Sequence, residues 1–244
     1  MTRILKALGL AMAAMAALVA VMAPAAQAET GILTTTQYPA IVTGEQLGGV
    51  TFDVGQAPIR TIACNSKWDA TLFGPTDPVT FTPTYAGCNS EPGGGEGPTP
   101  VTVTMNGCDY VVGFSRPATT GFIGNTGQMH AWINCPAGQQ IQIHVYENPA
   151  LHAGNVSTCT YDIGPQGPVP AGVYHNTFGG IPDVDATINA KFTATSTLGA
   201  GGPICGGDPF TQHLPITLTG NTTLRSFQDF GNWVEGAQLP LDVG

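Results

Sequence analysis

Residues 101–112 read VTVTMNGCDYVV, and their pattern decides the fold class. Val101, Val103 and Met105 alternate with Thr102 and Thr104, the period-two signature of a strand with one buried face. Asn106-Gly107 suits a two-residue type I′ turn, because both central positions need positive φ. Read as a hairpin, the segment pairs Met105 with Cys108, Val103 with Tyr110 and Val101 with Val112. All six side chains then share one face, and Cys108 points inward.

Other stretches read the same way. Strands are expected at 50–54, 59–64, 79–82, 129–135, 140–146, 158–163, 172–175 and 185–195. Cys135-Pro-Ala-Gly138 fits a turn with Pro at its second position. Residues 215–219 and 222–227, separated by Gly220-Asn221, read as a further hairpin, with 239–243 closing the sheet. Gly 33 and Pro 20 supply many turns and leave little room for long helices. The expected fold is all-β: antiparallel β-sandwich(es), immunoglobulin-like in general architecture and disulfide-stapled. Residues 91–100 and 164–172 are rich in Gly and Pro and read as loops or linkers. The second suggests a division into residues 29–165 and 166–244, with a single domain as the alternative.

The N-terminus carries Arg3 and Lys6, an apolar run from Ala7 to about Met22, Pro24, and Ala26-Gln-Ala28. This is the layout of a secretory signal peptide over residues 1–28. An uncleaved anchor helix is the competing reading. No later run is long enough to span a membrane as a helix. Leu214-Pro-Ile-Thr217 is close to a cell-wall sorting signal but lacks its Gly and an apolar tail, so release is expected.

Without the leader, five basic residues face sixteen acidic ones. Such a surface repels phosphate backbones, so nucleic acid is a poor partner. Only 9% of the chain is charged, and solubility must rest on Thr, Asn, Gln and Ser.

Six cysteines, Cys64, Cys88, Cys108, Cys135, Cys159 and Cys205, include no C-x-x-C pair. An even count in an exported chain points to three disulfides rather than zinc ligation or a reactive thiol. Fifteen pairings are possible. Sequential pairing, 64–88, 108–135 and 159–205, would staple neighbouring strands.

Candidate chemistry is sparse. His144, Glu147 and His152 lie within nine residues but do not form the zinc-protease motif, so solvated histidines are expected there. Ser115 is not in a nucleophile elbow. Asp183 and Asp185 would share a strand face, as a Ca²⁺ pair or as an acidic edge. Trp68 and Trp233 sit among polar residues and are the candidate ligand-binding aromatics, ahead of Trp132. Asn155 and Asn221 open glycosylation sequons. No metal site, catalytic set or cofactor is implied.

The leader ending in Ala26-Gln-Ala28, with Thr82-Pro-Thr-Tyr-Ala-Gly-Cys88, Asn106-Gly-Cys-Asp-Tyr110 and Cys135-Pro-Ala-Gly138, resembles secreted β-rich, multi-cysteine proteins of actinobacteria. That resemblance implies an extracellular β-protein and brings no catalytic residues. The expectation is therefore a secreted, non-catalytic protein that binds a glycan, a surface or another protein outside the cell. The alternative is a secreted hydrolase acting on polysaccharide or cell-wall material.

Overall fold

A computed structural model describes residues 30–46, 49–55, 60–91, 98–115, 126–146, 157–177, 180–198, 213–229 and 235–243. In chain order the strands are β1 (Thr30–Gly31), β2 (Leu33–Thr35), β3 (Ala40–Gln46), β4 (Val50–Val54), β5 (Arg60–Leu72), β6 (Val79–Glu91), β7 (Thr99–Thr104) and β8 (Asp109–Ser115). Then follow β9 (Thr126–Asn134), β10 (Ile141–Tyr146), β11 (Ser157–Ile163), β12 (Gln166–Thr177), β13 (Asp183–Leu198), β14 (His213–Asp229), β15 (Glu235–Leu239) and β16 (Leu241–Val243). The fold is all-β and antiparallel, as the alternation predicts.

Within Gly31–Gly244, a single compact unit, the pairings close on themselves. Four long strands, β5, β6, β13 and β14, run through the whole ring. Between them, shorter strands share positions end to end. β3 and β4 follow one another between β14 and β5. Likewise β8 and β7 share a position beside β6, β9 and β10 share the next, and β12 and β11 the one before β13. The ring has eight positions, each next in sequence to its neighbour, and β14 closes it against β3 and β4. This up-and-down order differs from the Greek-key connections of an immunoglobulin domain. At 17 residues β14 is roughly 56 Å long.

Alternation places one face of each strand inside. On β13, Val184, Ala186, Ala190, Phe192 and Ala194 are buried while Asp185, Thr187, Asn189, Lys191, Thr193 and Thr195 are exposed. On β6, Val79, Phe81 and Cys88 are buried and Thr80, Thr82 and Thr84 exposed. A polar outside and apolar inside is the inverse of a lipid-facing barrel. Among the described residues, no helix is long and apolar enough to cross a membrane.

Several local expectations are corrected. The Asn-Gly turn forms: Asn106 and Gly107 have φ of 50° and 76°, and the Cys108 amide donates to the Met105 carbonyl at 2.8 Å. The arms do not pair with each other. Asn89 opposes Pro100 and Phe81 opposes Tyr110, so β7 and β8 both lie along β6. The turn is a jog within one long strand position. The face assignment still holds, because Val101, Cys108 and Tyr110 are core and Val103, Met105 and Val112 pack against it.

Gly220-Asn221 is not a turn, and β14 runs straight through it. Gly220 pairs with Ile188, and a Cβ there would collide with the Gln46 side chain. Residues 166–172 are not a linker but the first half of β12. Its pairing with β9 shifts between Gln166 and Val169 and again between Pro170 and Gly172. Such bulges accommodate Pro168 and Pro170, which lack an N–H for the ladder. On either side of residue 165, β11 and β12 belong to one ring.

One end of the ring is plugged. β2 pairs with β16, and Leu33, Leu241 and Val243 are fully buried. The buried Asn176 side chain binds Val243 twice, donating to its carbonyl at 3.0 Å and accepting from its amide at 3.3 Å. Thus residues 239–243 do not close the ring. They end β15 and cap the opening through β16.

Candidate functional site

The two halves of the ring differ in what their inward faces hold. In the capped half, near β2 and β16, the inner face of β5, β6 and β8 carries Trp68, Phe81, Tyr110 and Phe114. The opposing strands β9, β12 and β13 answer with Ala131, Ala171, Ala186 and Ala190. Large rings against alanines do not fill the space. An apolar cavity of about 40 Å³ remains, lined by these residues with Met129, Phe192 and others. A single water needs about 10–15 Å³ but also two or more polar partners. The lining is apolar or aromatic apart from Thr222. At about 24 cal/mol per Å³, leaving this space unfilled costs about 1 kcal/mol.

Trp68 belongs to this wall. It is 5% exposed, donates its Nε1–H to Ser66 Oγ at 2.9 Å, and packs on Tyr110 with ring centroids 5.2 Å apart. It is not the surface platform that its polar neighbours suggested, because those neighbours alternate to the outer face of β5. Trp132 is the tryptophan that faces out. It lies over Gly113 and Gly167, where a Cβ would approach its ring to 3.1 and 3.2 Å. Trp233 lies outside the described residues.

Tyr85 and Tyr110 meet at the middle of the ring. Their buried hydroxyls approach without hydrogen-bond geometry and have no partner among the described residues. Burial pushes Tyr110 up to about 12 and raises Tyr85 well above its ordinary value.

Two disulfides brace the same level. Cys64 joins Cys88 where β5 bulges against β6. Cys108 joins Cys135 just beyond the last β8–β9 pair. Both are sequential pairs. Beside the second, Asn106 Nδ2 donates to the Gln140 carbonyl at 3.0 Å and to Gln142 Oε1 at 3.2 Å. The turn there is one residue later than expected, with the Gln139 amide donating to the Pro136 carbonyl at 2.9 Å. Cys159 is also disulfide-bonded, and Cys205 lies outside the described residues.

The remaining candidates are scattered. His144 contacts Thr160 at 3.1 Å on β10 and β11, while His175 contacts Thr126 on β12 and β9. Glu147 and His152 lie outside the described residues. Ser115 Oγ accepts from the Gln128 amide and donates to its carbonyl, so it serves the sheet. Asp183 accepts from Arg225 Nε at 3.4 Å and Gln238 Nε2 at 2.7 Å, while Asp185 accepts from Thr223. They sit on β13, an interior strand of the ring, and therefore protect no edge. Among the described residues, no three His, Cys, Asp or Glu side chains converge.

The other half of the ring holds a feature that sequence inspection passed over. Arg60 is 5% exposed and donates from Nη1 to Ser90 Oγ at 2.9 Å. Its signal was present: Arg60 has the same parity as Ile62 and Cys64, the inner residues of β5. The cavity had no such signal, since each of its alanines is an ordinary small strand residue.

No protein-family model, curated protein or solved structure matches this chain.

Proposed function

We propose that this is a secreted, non-catalytic binding protein that acts outside the cell, and that its ring takes up a small apolar guest. The observation that carries the reading is the apolar cavity between the aromatic wall of β5, β6 and β8 and the alanines of β9, β12 and β13. Ligand sites are concave and mainly apolar, and eight-stranded barrels have interiors of a size to hold one small ligand. Disulfides at the middle of the ring fit an oxidising compartment and keep the walls in register.

Native mass spectrometry of protein recovered from culture medium, before and after organic extraction, tests this. A neutral guest at one per chain supports the reading. So does a rise in melting temperature under xenon that disappears in Ala186→Val. A protein that carries nothing and does not respond to xenon sinks it.

A further inference from the structure

The half of the ring away from the β2–β16 cap contains a buried charge. Arg60 opens β5 with its side chain on the inner face, 5% exposed. Ser90, fully buried on β6, accepts from its Nη1. Thr99 pairs directly with Ser90 across β6 and β7. It is 7% exposed, and its hydroxyl has no partner among the described residues. Three successive strands thus aim a guanidinium and two hydroxyls into one interior. Tyr161, fully buried on β11, lies within the field of Arg60. Burial raises its pKa to about 12, and the positive charge of Arg60 pulls the other way.

Among the described residues the ion pairs are Lys67–Asp69 and Arg225–Asp183, and neither involves Arg60. A guanidinium has five N–H donors and cannot lose its proton in a protein. A buried lysine or histidine can escape by neutralising, but an arginine cannot. A desolvated charge must be matched by an opposite charge to be tolerated. The Ser90 hydroxyl accepts from Arg60 and keeps its own proton to donate, and the Thr99 hydroxyl is a second free donor.

We infer that Arg60, Ser90 and Thr99 form a binding site for a small oxyanion, a carboxylate or a phosphate, inside the uncapped half of the ring. The guanidinium supplies charge and a planar fork suited to two oxygens. The hydroxyls supply direction. This site does not depend on the apolar-guest reading, since it involves no cavity-lining residue.

The test is thermal unfolding of the full secreted chain titrated with acetate and, separately, with inorganic phosphate. Chloride at matched ionic strength is the control. A ligand that binds only the folded state raises the melting temperature saturably. Acetate, phosphate or both should do so, and the stronger arm identifies the anion. Thr99→Val, which keeps the side-chain shape, should weaken binding roughly tenfold or more. Arg60→Met should abolish it, and in anion-free buffer should melt no lower than the wild type. The inference is overturned if neither anion gives a saturable rise in the wild type, or if Thr99→Val binds as tightly as the wild type. It is also overturned if Arg60→Met melts well below the wild type without anion, because the guanidinium would then already be compensated within the chain.

Discussion

The same two strands, β13 and β14, line both halves of the ring, yet the halves have different interiors. On β13 the inner residues Ala186 and Ala190 stand in the capped half against aromatic rings, and a cavity results. Eight residues along from Ala186, Ala194 is equally buried but is not among the residues lining this cavity. Its half is filled by Ile143, Val145, Ile216 and Tyr161, all fully buried, and is distinguished by Arg60 instead. A regular polar–apolar alternation therefore says which way a residue faces and nothing about whether the space before it is filled.

The largest test concerns the level where the halves meet. Replacing Cys108 and Cys135 together by alanine opens a loop with a sequence separation of 27. The chain-entropy relation gives a loss of about 3.5 kcal/mol, read as a lower urea midpoint with the slope fitted freely, since opening the loop lets the unfolded chain expand. If the two halves then unfold in separate transitions, the staple is what couples them. A single transition would show that the shared long strands suffice.

The sharpest comparison uses one substitution in two places. Ala194→Val adds two methyl groups to a packed interior and should destabilise by about 1–3 kcal/mol. Ala186→Val adds the same groups beside the cavity. It should be neutral or stabilising by up to about 1 kcal/mol, the amount the unfilled space costs. Equal effects in urea titrations of the two variants would mean that the halves are packed alike.

The smallest effect is at Tyr110. Its hydroxyl is buried without a partner among the described residues, so Tyr110→Phe should change stability by about 1 kcal/mol or less, in either direction. The difference should grow with alkalinity. Tyr110 in the folded protein is raised to about 12, above its ordinary 10.0. The neutral phenol is thus favoured by folding. That contribution is whole below pH 10 and is lost as pH rises from 10 through 12. Tyr110→Phe should flatten the fall in stability over that window, measured by urea unfolding at a series of pH values. An unchanged slope would mean that Tyr110 is not a source of the alkaline lability.

Much of the fold was legible in short-range pattern. The six residues Val101, Val103, Met105, Cys108, Tyr110 and Val112 face the core as their alternation demands, and Asn106-Gly107 adopts the positive φ its composition allows. What failed was partner choice. An Asn-Gly turn between alternating arms names no neighbour, and here each arm lies between β6 and a second strand, β7 against β10 and β8 against β9, rather than against the other arm. The Pro-rich start of β12 and the Gly-Asn step in β14 were misread for the same reason. Local breaker residues are outweighed when the strands on either side supply a continuous ladder.

The sequence by itself determined the strand content, the inner and outer faces, and the parity that turns Arg60 inward. Each of these depends on neighbours one or two residues away. Only the tertiary structure decided that the strands close into a ring, that β2 and β16 plug one end, and that alanines meet aromatics across it. It also decided that Arg60 shares its interior with hydroxyls rather than a carboxylate among the described residues. Those outcomes depend on which faces meet across the core, and pairing between distant segments sets that, not the period of any one of them.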